Sequence, residues 1–208
     1  MEQLKKMVIT GQDDATAEEV RNLLKDNVDV ENIMKQALIP AMDEVGEMFQ
    51  SGKIYLPEML VAAQAMKSAM RVLEPLIKGS GVKPTGRAVM GTMRGDMHDI
   101  GKNLVVMSLE GAGFEVIDLG TDVPPEQFVA AVKEHQPQVV GMSALLSTTM
   151  PGMGKTVQAL VEAGLRDMVK IMVGGAPVNQ AFADEIGADF YGKDSVSAKV
   201  FAVQSLQA

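Results

Sequence analysis

The sequence predicts an α/β protein in two parts: an N-terminal four-helix bundle over residues 1–80, then a five-stranded parallel sheet with helices on both faces over residues 84–208. Three observations carry this. As far as Lys78 the apolar residues recur at helical spacing and runs of β-branched residues are missing. Gly79-Ser80-Gly81-Val82-Lys83-Pro84-Thr85-Gly86 then has the composition of a linker, and the second half alternates short apolar runs with amphipathic stretches. That alternation is how a chain writes repeated strand–helix crossovers, which give a doubly wound sheet.

In chain order, a short helix is expected at 2–9, and Val20, Leu23 and Leu24 mark a second. Ile33, Met34, Ala37, Leu38, Ala41, Met42, Val45 and Phe49 mark a third. Pro40 lies inside that pattern and should bend the helix or start its main segment. Pro57, suited to a first turn, opens a fourth helix through Met59, Leu60, Ala63, Met66, Ala69, Met70, Leu73 and Ile77. Past the linker, strands read at Ala88–Met93, Glu115–Leu119, Val139–Ser143, Lys170–Val173 and Asp189–Tyr191. Helices are expected near 100–112, 125–135, 152–164, 178–186 and 195–206. Five such strands predict the flavodoxin-like (Rossmann-like) order 2-1-3-4-5.

Composition narrows the function classes. The net charge of −8 and pI near 4.8 speak against a nucleic-acid or anionic-membrane partner. No run approaches the roughly 20 apolar residues of a membrane span, and the acidic, polar N-terminal region is unlike a secretory signal, so a cytoplasmic protein is expected. With no cysteine there is no disulfide, thiolate nucleophile or iron–sulfur site, and the two histidines, His98 and His135, are too few for a multi-histidine zinc centre. His135 ends a helix pattern, where a histidine interacts favourably with the helix dipole. The 17 methionines, among them Met34, Met42, Met48, Met59, Met66 and Met70, read mainly as adaptable core filling.

The chemistry gathers at one sheet edge. Gly95-Asp96-Met97-His98-Asp99-Ile100-Gly101 lies between strand 1 and the helix after it, which puts a histidine on a loop with a carboxylate two residues before it. A histidine offered from a loop, its far ring nitrogen held by an acid, is how a protein presents imidazole to a metal. Ser143 closes strand 3 and Gly174-Gly175 closes strand 4, so all three signals fall at the carboxyl edge, near the switch point between strands 1 and 3 where such sheets bind ligands. Paired glycines allow a flat group to approach the backbone, and hydroxyls supply hydrogen bonds inside the slot.

Asp96-Met97-His98-Asp99-Ile100-Gly101, Ser143-Ala144-Leu145 and Gly174-Gly175 resemble, in order and spacing, the three-part signature Asp-x-His-x-x-Gly, Ser-x-Leu, Gly-Gly of cobalamin-binding domains. Such domains occur in methionine synthase and the corrinoid methyltransferase families. Glu115 to Gly120 extend the match. Val45-Gly46-Glu47-Met48-Phe49 and Gly52-Lys53-Ile54-Tyr55-Leu56-Pro57 resemble the helical cap of methionine synthase, so the similarity spans roughly residues 30 to 195. The nearest resemblance is to stand-alone corrinoid proteins that serve methyltransferases for methylamines, quaternary amines, methanol or methoxy-aromatics.

The resemblance implies a cobalamin or related corrinoid, with His98 as the lower cobalt ligand in place of the cofactor's own base. It implies Asp96 as the hydrogen-bond partner of His98, and Thr149 at the position of a serine that ends the ligand relay. Ser143 and Ser147 match hydroxyl residues that contact the tail or the corrin, and Gly95, Met97, Asp99 and Leu145 accompany them in the two loops. Gly101, Gly174 and Gly175 would line the slot for the displaced benzimidazole tail, with Ser195 at the corrin rim. Phe49 and Leu56 match cap residues over the methyl position, where Met59 replaces a valine. The function so implied is a methyl carrier, inactive alone, between a substrate-specific methyltransferase and a corrinoid:folate or corrinoid:thiol methyltransferase, maintained by a reductive activation protein. A mutase subunit or a cobalamin-dependent sensor are the alternatives, but the chain carries its own helical half and no DNA-binding segment is read in it.

Overall fold

The computed structural model describes residues 1–80 and 84–206. Five helices come first: α1 (Glu2–Ile9), α2 (Asp13–Lys25), α3 (Val30–Ile33), α4 (Ile39–Gln50) and α5 (Leu56–Ser80). Their apolar stripes meet in a core that includes Leu4, Val8, Val20, Ile33, Leu38, Val45, Ala62, Met66 and Leu73, with Met34, Met42 and Met59 among the buried methionines. The apolar pattern from Ile33 to Phe49 is one continuous run, yet it folds as α3, a π-helical turn at Met34–Leu38, and α4. Pro40 explains the break. It has no N–H to give, and its ring would press on the carbonyl of Gln36 in an unbroken α-helix. The wider turn, closed by the Ile39 amide on the Met34 carbonyl, makes room for the ring and leaves Pro40 in the first turn of α4. Helix α5 takes up Gly79 and Ser80, the first two residues of the expected linker, and residues 81–83 lie outside the described residues.

The second half alternates as the sequence predicts: β1 (Arg87–Thr92), α6 (Ile100–Gly111), β2 (Glu115–Asp118), α7 (Pro125–His135), β3 (Val139–Ser143), α8 (Pro151–Glu162), β4 (Lys170–Gly174), α9 (Gln180–Glu185), β5 (Phe190–Gly192) and α10 (Ser195–Gln204). All neighbouring strands are parallel, in the order β2-β1-β3-β4-β5. The inner strands β1, β3 and β4 are buried almost end to end, as strands covered on both faces must be. Val89, Val140, Met142, Ile171 and Val173 form the sheet's share of a core completed by Phe128, Val132, Met153, Val157 and Leu160 from the helices. His135 closes α7.

The chain divides into two compact units, Met1–Pro84 with Gly111–Gly113, and Thr85–Glu110 with Phe114–Ala208. Among the described residues no helix is long and apolar enough to cross a membrane.

Candidate corrinoid site

The β order places the switch point between β1 and β3, and the loops that leave these strands carry the polar residues. Asp96 is fully buried at the centre of them. Its Oδ1 accepts from the His98 amide at 3.0 Å and lies 2.7 Å from His98 Nδ1. Its Oδ2 accepts from the Leu145 amide at 2.7 Å, the Leu146 amide at 3.3 Å and the Thr149 hydroxyl at 3.0 Å. Burial alone would raise this carboxyl, but the hydrogen bonds from His98, Leu145 and Thr149 outweigh it and hold Asp96 well below the usual carboxylate range. Asp96 is therefore an anion at neutral pH, acceptor-only, so the proton it shares with His98 sits on Nδ1. In the neutral imidazole the lone pair is then on Nε2, on a side chain that is 53% exposed.

The loop has further ties. The Thr92 hydroxyl donates to the His98 carbonyl at 3.2 Å, and the Gly95 amide donates to Asp122 Oδ1 at 2.7 Å. Gly95 has φ +83°, the left-handed turn that lets the chain double back so that Asp96 faces inward. Thr92 and Asp122 are residues that sequence reading missed. Thr92 reads as an ordinary strand residue, and Asp122 acts from another crossover, so no local pattern reveals it.

The other residues marked in the sequence fall as follows. Met97 and Leu145 are exposed, as are their apolar neighbours Ile100 and Leu146, so hydrophobic surface flanks the imidazole. Asp99 accepts from the Asn103 side chain at 3.0 Å. Ser147 is exposed and Ser143 half-buried at the end of β3. Ser195 opens α10 just after β5, at the same carboxyl edge. Phe49 and Leu56, half-buried, flank the α4–α5 turn, and Met59 is buried one turn into α5.

Whether a corrinoid suits these residues can be judged from three features. The hydroxyl of Ser195 is buried without a hydrogen-bond partner, an arrangement that costs free energy unless a ligand group supplies one. At Gly101 a Cβ would meet nothing within 4 Å, so neither the backbone angle nor a neighbouring atom demands glycine at this exposed position in the first turn of α6. Gly174 and Gly175, in contrast, are required by the fold itself: a Cβ on Gly174 would come within 2.9 Å of the Gly192 carbonyl, and one on Gly175 would overlap the Ala144 carbonyl. A half-exposed imidazole held through Nδ1, an unsatisfied hydroxyl at Ser195 and an open position at Gly101 fit a cobalt-bearing ring with polar appendages.

Acid sensitivity tests the Asp96 arrangement. A carboxylate whose native pKa is depressed contributes stability that is complete above its unfolded value, about 3.9, and is lost as pH falls toward the native value. The stability gap between the wild type and Asp96→Asn should thus be constant near neutral pH and narrow only below about pH 4. Urea midpoints from pH 3 to pH 7 measure it; a gap that already closes at pH 6 would contradict the geometry.

Comparison with known proteins agrees with both halves of the structure. Residues 86–199 match the family described as B12 binding domain, and residues 1–74 match a second family of the same description. The chain is 47% identical over 196 residues to the trimethylamine corrinoid protein of Methanosarcina barkeri, covering 93% of this chain and 90% of that protein. It is 42% identical over 207 residues to dimethylamine corrinoid protein 1 of Methanosarcina acetivorans, covering 99% of this chain and 97% of that one. The crystal structure of the methanol:cobalamin methyltransferase complex from Methanosarcina barkeri contains a chain that superposes with a TM-score of 0.89 at 30% identity, covering 99% of this chain and 78% of that chain. A helical half and a sheet half that each match a B12 binding domain, together with these full-length relatives, show that the chain belongs to the family of methyltransferase corrinoid proteins.

Proposed function

We propose that this chain carries methyl groups in the cytoplasm on a corrinoid whose cobalt is held by His98 Nε2, and that it turns over only with separate methyltransferases. The observation that carries the reading is the held imidazole: Asp96 engages Nδ1 at 2.7 Å, which leaves Nε2, on a half-exposed side chain, as the ring nitrogen for the metal. A bound corrinoid supplies a nucleophilic cobalt that accepts a methyl group and releases it again. The protein's own part is positional. Leu145 N–H, Leu146 N–H and Thr149 Oγ1 keep Asp96 charged, Asp96 keeps His98 oriented, and Met97, Ile100, Leu145 and Leu146 offer apolar surface to a macrocycle.

The names of the relatives at 47% and 42% identity point to a methylated amine as the donor class, ahead of methanol, named by the 30% structural relative. The partners follow: an amine-specific methyltransferase, a second methyltransferase with a folate or thiol acceptor, and a reductive activation protein. A direct test supplies the corrinoid-loaded full chain with trimethylamine, dimethylamine or methanol and the methyltransferase for each. Corrinoid should remain on the chain through gel filtration, and methyl transfer should be fastest with an amine. A protein that emerges without corrinoid ends the reading, and fastest transfer from methanol ends its amine part.

Residues 1–80 are the shield in this reading, with Phe49 and Leu56 as its working side chains. Phe49→Ala and Leu56→Ala should each speed photolysis of supplied methylcobalamin on the protein severalfold. Unchanged rates would reassign the helical half to docking of the partner enzymes.

A further inference from the structure

Lys102 is the largest fully buried side chain among the described residues, with 1% of it exposed, and nothing in the carrier reading uses it. Its placement is costly twice over. An ammonium taken out of water loses several kcal/mol of hydration in order-of-magnitude terms, and the first turn of a helix is the end that disfavours a cation. A lysine here would ordinarily reach into solvent. Instead Nζ donates to Asp118 Oδ2 at 2.6 Å and to Asn103 Oδ1 at 2.6 Å.

Those two bonds have a consistent direction. Asp118 ends β2, is paired in register with Met90 of β1, and accepts from the Gly120 amide at 2.9 Å through its other oxygen. Asn103 in turn holds Asp99 twice, side chain to side chain at 3.0 Å and amide to carbonyl at 2.8 Å. Lys102 therefore fastens the start of α6, and through Asn103 the residue next to His98, to the β2 side of the sheet. On the opposite side Asp96 fastens the same loop to the segment after β3. His98 lies between two polar anchors, one to each neighbour of β1.

We propose that Lys102 is a positioning residue for His98: the pair of buried Lys102 with Asp118 fixes the seat of the loop and so sets how readily the imidazole reaches and keeps the cobalt. This rests on His98 being the lower ligand. Aligned hydrogen bonds from the near side orient the ring, whereas the Lys102 anchor governs the backbone that carries it.

The test uses the full chain loaded with cobalamin in the cobalt(II) state, where nitrogen superhyperfine splitting in the paramagnetic resonance spectrum reports imidazole on the metal. The fraction of cobalt carrying that signature is compared for wild type, Lys102→Met and Asp118→Asn, alongside thermal unfolding of each. Asp118→Asn removes the charge, keeps Lys102 and a hydrogen-bond acceptor, and acts at a side chain 35% exposed, so it guards against the failure of Lys102→Met to fold. The ratio of imidazole-bound to unbound cobalt should fall about tenfold in Lys102→Met, at the low end of outer-shell effects on metal sites, and by a smaller factor in Asp118→Asn. A folded variant with the wild-type ratio, even at a lower melting temperature, would make the pair purely structural and overturn the proposal. Absence of splitting in the wild type itself would instead overturn the assignment of His98.

Discussion

Alanine at position 98 should abolish the imidazole signature of protein-bound cobalt(II) and lower methyl transfer by about 100-fold or more, since outer-shell changes alone reach 10–100-fold. The reasoning is stereochemical. Asp96 and its donors hold the ring through Nδ1, which leaves Nε2 for a metal, and neither of the two other groups in this network, the Asp96 carboxylate or the Thr149 hydroxyl, offers a nitrogen. The fold should persist because the side chain is half exposed, while Asp96 keeps its donors from Leu145, Leu146 and Thr149. Circular dichroism and resonance spectra of the same sample separate the effects. A retained nitrogen splitting in His98→Ala would show that another ligand holds the metal.

The largest effect on stability is expected at Gly175. Its φ of +126° is closed to residues with a side chain, and an added Cβ would lie 2.8 Å from the Ala144 carbonyl carbon and overlap its oxygen. Both atoms belong to backbone, so no rotamer change relieves the contact. Gly175→Ala should cost about 3 kcal/mol or more, from strain plus displacement of the β3 and β4 loops. For a chain of this length that lowers the melting temperature by roughly 10 °C. Corrinoid affinity should fall with it. Gly101→Ala is the informative contrast: its Cβ enters open space, so stability should stay within about 0.5 kcal/mol of wild type. If that space receives the cofactor, affinity falls all the same. Equal melting temperatures for Gly175→Ala and wild type would refute the backbone argument.

Much of this was legible in the residues themselves. Strand runs such as Val139–Ser143 are short, apolar and bounded by turn residues, so five strands alternating with helices could be read, and the order usual for such a doubly wound sheet is the one the structure bears out. The three-part cobalamin signature pointed to the family that the comparisons identify. Local pattern failed where a residue's partner lies far along the chain. No local pattern marks Lys102, because its partner Asp118 is 16 positions away on another strand. Pro40 marked the interruption of the third helix pattern, and α4 has it in its first turn; periodicity did not give the form of the break, because a π turn adds one residue to a turn without changing which residues are apolar. The fold also gives Gly174 and Gly175 a duty that the motif does not mention, the close approach of three backbone segments.

If the corrinoid is held by the loops after β1, β3, β4 and β5, as proposed, its site exists only in the folded sheet. Ligand binding then acts only on the native state, and mass action links the two equilibria: at a hundredfold excess over Kd a corrinoid would add about 2.7 kcal/mol to the free energy of unfolding. That corresponds to roughly a hundredfold smaller unfolded population. Protease resistance of this protein should therefore rise and fall with corrinoid supply, and the empty chain would be the form a cell clears first.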